Sequence, residues 1–119
     1  MNKKFLMFHE IIFSENENTG WNLDTNGKYS ISIDVFNSFV EKFKNNFEYT
    51  FDDGGLSNLK AAKILEKFGI KGYFFIPTFF IGKPGFLKTS DIKIMSKNHY
   101  LFPHSHNHNM KNSNFEYLL

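Results

Sequence analysis

The chain contains no cysteine, and all 14 of its basic residues are lysine, so arginine is absent as well. Without cysteine there are no disulfides and no thiolate metal ligands, which leaves histidine and aspartate as the natural metal-binding side chains. Without arginine the commonest bidentate contacts to guanine and phosphate cannot form. A formal net charge of +2 adds no electrostatic case for a nucleic-acid partner. No apolar run approaches the roughly 18 residues that would span a bilayer. Lys3-Lys4 followed by Phe5-Leu6-Met7-Phe8 begins like an export signal, but His9-Glu10 interrupts the apolar stretch and no small-residue cleavage site follows. The expected location is therefore cytoplasmic, with association to the cell envelope as the alternative. What is plentiful is phenylalanine: 16 residues in a chain of 119, within a composition 41% hydrophobic and 22% charged. That is the make-up of one globular domain with a bulky aromatic core.

Patterning divides the chain into an N-terminal extension, residues 1–27, and a folded part, residues 28–119. Ser14 to Gly20 reads as a loop of polar and turn-forming residues. Tyr29, Ile31 and Ile33 alternate with Ser30, Ser32 and Asp34, which predicts a short strand. Val35, Phe36, Phe39, Val40 and Phe43 then follow helical spacing, with Asp34 as the expected N-cap. Residues 47–51 are aromatic and partly alternating, as a half-buried strand should be. Residues 58–68 form the clearest predicted helix, with Leu59, Ala62, Leu65 and Phe68 on one face and Gly69 suited to the C-terminal cap. Residues 73–76 are continuously apolar, as in a strand buried on both faces. A further helix is predicted over residues 90–96 and a short strand over 100–103. Alternating strands and helices argue for an α/β fold with parallel pairing.

Two short patches carry the chemistry. Thr50-Phe51-Asp52-Asp53-Gly54 puts two adjacent carboxylates where the predicted strand breaks into a turn, and His104-Ser105-His106-Asn107-His108 holds three closely spaced imidazoles. Ligands in α/β proteins gather at the C-terminal ends of strands. If the strands are parallel, both patches reach one edge. A catalytic zinc takes three protein ligands and keeps one position open, a count that one Asp and two His satisfy, leaving the second Asp to handle a proton. Four-residue spacing pairs His104 with His108 on a helix, whereas two-residue spacing pairs His104 with His106 on an extended segment, and both remain open on spacing alone. His9 and His99 belong to no motif and are expected at the surface.

The first patch, together with Gly69-Ile70-Lys71-Gly72-Tyr73-Phe74-Phe75-Ile76-Pro77-Thr78 and the histidine patch, resembles the polysaccharide deacetylases of the NodB-homology family, carbohydrate esterase family 4. The resemblance covers residues 29–108. It implies a distorted (β/α) barrel, of which the first two to three β/α units are readable here. It implies Asp52 as catalytic base, Asp53, His104 and His108 as metal ligands, and Ser105 as support for the metal-binding loop, with His106 left beside the site or exposed. The implied cofactor is a divalent metal, zinc first and cobalt or nickel as alternatives. The implied partner is an N-acetylated carbohydrate from which acetate is removed. Metal-dependent O-acetyl ester cleavage and an inactive metal-binding remnant are the competing readings. The family's later motifs, which carry an arginine and the proton-donating Leu-x-His, have no counterpart after residue 108. The chain alone is therefore expected to be a poor catalyst, to self-associate, or to require a C-terminal half.

Overall fold

A computed structural model describes residues 3–13 and 30–103. Its elements are strands β1 (Lys4–Phe8), β2 (Glu10–Ile12) and β3 (Ser30–Ser32), helix α1 (Ile33–Phe43), strand β4 (Phe47–Asp52), helix α2 (Asn58–Lys67), strand β5 (Tyr73–Ile76), a 3₁₀ turn (Thr78–Phe80), helix α3 (Thr89–Met95) and strand β6 (Tyr100–Pro103). Four strands form one sheet in the order β1-β4-β5-β6, and β2 pairs with β3 in a second. Every pairing is parallel. Parallel neighbours need a crossover connection, which α2 supplies between β4 and β5 and α3 between β5 and β6. The α/β expectation is met. The expected barrel is not seen closed among the described residues, where the sheet is open at β1 and β6.

Strand alternation decides which side chains go inside. Tyr49 and Phe51 of β4 and Phe74 and Ile76 of β5 point to one face, where Phe36 and Val40 of α1, Ala61, Ala62 and Leu65 of α2 and Met95 of α3 cover them. The rings interlock: Phe51 stacks on Phe74 at 4.7 Å between centroids, and Phe8 meets Phe36 edge-on at 5.1 Å. Each fully buried large apolar side chain here is worth about 1.5–3 kcal/mol. Helix α2 ends as Gly69 predicts. Its φ is 72°, and the Gly69 and Ile70 amides donate to Glu66 and Leu65 carbonyls at 3.0 and 2.9 Å, satisfying two of the last carbonyls of the helix.

Three expectations are corrected. The cap of α1 is Ser32, whose hydroxyl accepts from the Val35 amide at 3.2 Å, while Asp34 sits in the first turn and complements the helix dipole. Strand β5 is buried on one face only, since Tyr73 and Phe75 are half-exposed. Residues 1–27 contain β1 and β2, so the N-terminal segment is a working part of both sheets rather than an extension. The second face of the large sheet carries Phe5, Met7, Tyr100 and Phe102, with Phe5 and Met7 64% and 62% exposed. Parallel sheets are ordinarily covered on both sides. No described helix is long and apolar enough to cross a membrane.

Candidate active site

Strand β4 ends at Asp52, and the chain turns at once through two left-handed residues, Asp53 at φ 78° and Gly54 at φ 65°. Glycine suits this conformation on two grounds at position 54, because a Cβ there would also lie 3.1 Å from Ile76 Cγ2. Aspartate tolerates it at a cost of about 1 kcal/mol. Backbone bonds hold the turn. The Asp53 amide donates to the Phe75 carbonyl at 3.0 Å, and the Gly54 carbonyl accepts from Leu87 at 3.0 Å. Both carboxylates are buried, as expected of residues held at a strand's C-terminal end rather than in a solvated turn.

The sheet register shows what else reaches this edge. Phe8 pairs with Phe51, so His9, the next residue, comes level with Asp52. Its Nε2 lies 3.6 Å from Asp53 Oδ2. Asp52 is level with Phe75 and through it with Phe102, and Ile76 is level with Pro103, the last described residue. The C-terminal ends of β4 and β6 thus share one edge, two strand spacings or roughly 10 Å apart. His104, Ser105, His106 and His108 lie outside the described residues. Among the described residues no group of three or more His, Asp or Glu side chains could hold a metal ion. Within reach are a buried carboxylate and an imidazole at an open sheet edge, donor types that zinc accepts.

Behind the aspartates lies a polar cluster that the sequence analysis missed. Glu10 is 2% exposed and accepts from Ser57 Oγ at 2.7 Å. Ser57 Oγ in turn accepts from the Ile11 amide at 2.9 Å, and Asn58 Nδ2 donates to the His9 carbonyl at 3.1 Å. Burial holds the Lys60 ammonium below the usual lysine range, an effect the Glu10 charge partly opposes. Neither histidine is a plain surface residue. His9 stands beside Asp53, and the signal that could have found it is register, since an imidazole one residue after a parallel strand must arrive at the ligand edge. His99 is buried at the opposite end of β6: Nδ1 accepts from the Gly72 amide at 2.9 Å, and Nε2, which must then carry the proton, donates to Glu66 Oε2 at 2.9 Å.

The architecture, a parallel sheet with helices on one face, is shared with solved deacetylases. The Streptococcus pyogenes deacetylase PplD in complex with acetate matches with a TM-score of 0.73 at 20% identity, over 90% of this chain and 57% of that one. BC0361, a polysaccharide deacetylase from Bacillus cereus, matches with a TM-score of 0.73 at 20% identity, over 89% of this chain and 40% of that one. IcaB from Ammonifex degensii matches with a TM-score of 0.66 at 17% identity, over 88% of this chain and 54% of that one. The chain thus spans 40% to 57% of the length of these structures, and at such identities the likeness is one of fold. No protein-family model and no curated protein matches the sequence.

Proposed function

We propose that this chain carries the metal-binding and proton-handling edge of a deacetylase that removes N-acetyl groups from an amino-sugar polymer. The observation that supports it most is the convergence of Asp52, Asp53 and His9 on one sheet edge, with Asp53 and His9 3.6 Å apart. Asp53 with His104 and His108 would hold a divalent cation, zinc first and cobalt or nickel as alternatives, and Ser105 would support the loop between those histidines. When bound, the cation supplies Lewis-acid polarisation of the amide carbonyl and charge stabilisation in the transition state. Asp52, which ends β4 on the side of the sheet away from the helices, takes the proton of the attacking water at a carboxylate oxygen. His9 is the candidate for the acid that the motifs leave unassigned. Expulsion of the amine requires a proton, which the protonated His9 ring beside Asp53 would give from Nε2, returning to neutral imidazole.

Purified protein loaded with zinc and offered N-acetylglucosamine oligomers tests the reading. Release of acetate from N-acetyl but not O-acetyl sugars is the expected result. Turnover of O-acetyl sugars alone would replace it with the esterase reading, and zinc binding without turnover on either would leave a metal-binding relative.

A further inference from the structure

Between β1 and β2 the chain leaves one sheet for another within a single residue, His9, and the segment that makes this jump is stitched to the start of α2 by three hydrogen bonds. The His9 carbonyl accepts from Asn58 Nδ2 at 3.1 Å, the Ile11 amide donates to Ser57 Oγ at 2.9 Å, and Ser57 Oγ donates to Glu10 Oε1 at 2.7 Å. Ser57 is the N-cap residue of α2, yet its side chain makes no cap hydrogen bond. Its hydroxyl is committed to the neighbouring segment instead. Gly55 completes the arrangement: a Cβ there would stand 2.2 and 2.5 Å from the two Glu10 oxygens, so the carboxylate occupies the slot that the missing side chain leaves. Burying a carboxylate is unfavourable unless it is well bonded, and for stability alone an apolar residue would serve as well. What Glu10 adds is direction. The two segments it joins are those that carry His9 and Asp53, and Gly55 and Ser57 follow the strained turn directly.

We propose that Glu10, acting through Ser57 and the Gly55 slot, is a positioning residue that sets His9 against Asp53. The proposal rests on the deacetylase reading above for its catalytic meaning and on the hydrogen bonds alone for its structural one. The test uses the full chain loaded with zinc. Glu10→Ala and Ser57→Ala should each lower kcat for acetate release by about 10- to 100-fold with KM changed less than about threefold, since a misplacement near 1 Å costs on that order. Glu10→Gln keeps the volume and an oxygen that accepts from Ser57, and should restore kcat to within about threefold of wild type. Kinetics are normalised to the folded fraction measured by circular dichroism, so that a variant that merely unfolds is not mistaken for one that is misaligned. Unchanged kcat per folded molecule in Ser57→Ala, or a Gln variant no better than Ala, would overturn the proposal. A crystal structure of Ser57→Ala gives a readout independent of turnover. His9 moving more than about 1 Å from Asp53 supports the clamp even if wild type releases no acetate, in which case only the reaction reading falls. His9 remaining in place overturns the clamp.

Discussion

His9 and His99 stand one residue outside a strand, at opposite ends of the same sheet, and the structure uses them in opposite ways. His99 precedes β6, is buried, and has both ring nitrogens engaged by Gly72 and Glu66 while its edge packs on Phe74 at 5.2 Å. It fastens α2 to the β5 and β6 ends. His9 follows β1 at the C-terminal edge, half-exposed, with Nε2 turned to a buried carboxylate. In β/α architectures the C-terminal ends of strands carry chemistry and the N-terminal ends carry stability. The same side chain is therefore a bolt at one end and, in the function proposed above, a proton donor at the other.

That contrast breaks or sharpens by mutation. The largest effect should come from His9→Gln, with a loss of kcat of about 10²- to 10⁴-fold and a melting temperature close to wild type. Acetate-release kinetics with a thermal melt read both, and a large drop in stability with unchanged turnover would reverse the roles of the two ends. His99→Ala should do the opposite. Leaving the Gly72 amide unsatisfied and a void beside Phe74 should cost about 2–4 kcal/mol in urea unfolding, with turnover per folded molecule unchanged. Asp53→Ala should weaken zinc binding by more than about tenfold, as should Ala at His104 or His108, while His106→Ala should change it little. Calorimetry would expose the assignment as wrong if only the His106 variant lost zinc. The smallest effect concerns Lys60. Its ammonium is depressed by burial and raised by the Glu10 charge, so Glu10→Gln should lower the Lys60 pKa further. A lysine side-chain NMR titration showing a rise would contradict the sign.

Much of this fold was readable because its signals are local. Residues 73–76 and 100–103 were found as strands with their observed bounds, the predicted strand over 47–51 extends by Asp52, and the helix over 58–68 ends at the glycine that its C-terminus needs. Strand β1 was missed for a physical reason. A strand lined with apolar residues on both faces shows no period of two, and after Lys3-Lys4 the run Phe5-Leu6-Met7-Phe8 looks like the start of an export signal. With β1 unread, its register was unread, and so was the arrival of His9 beside Asp53. The exposed Phe5 and Met7 show that this strand has one face on the core and one face bare, which local pattern alone does not reveal. Asp52 and Asp53 were legible because a motif names them and a strand end delivers them. Glu10 and Ser57 were not, because a clamp between segments more than 40 residues apart leaves no mark in either one.

The account stands most directly on Asp52 as the base of a hydrolytic site at the sheet edge. The decisive measurement is acetate released from N-acetylglucosamine oligomers by the zinc-loaded protein, wild type against Asp52→Asn, with zinc affinity measured on both. The predicted result is slow but measurable release by wild type, as expected of a poor catalyst, a loss of about 10²- to 10⁴-fold in the variant, and nearly equal zinc affinities. Equal release by Asp52→Asn, or none by wild type, would contradict it.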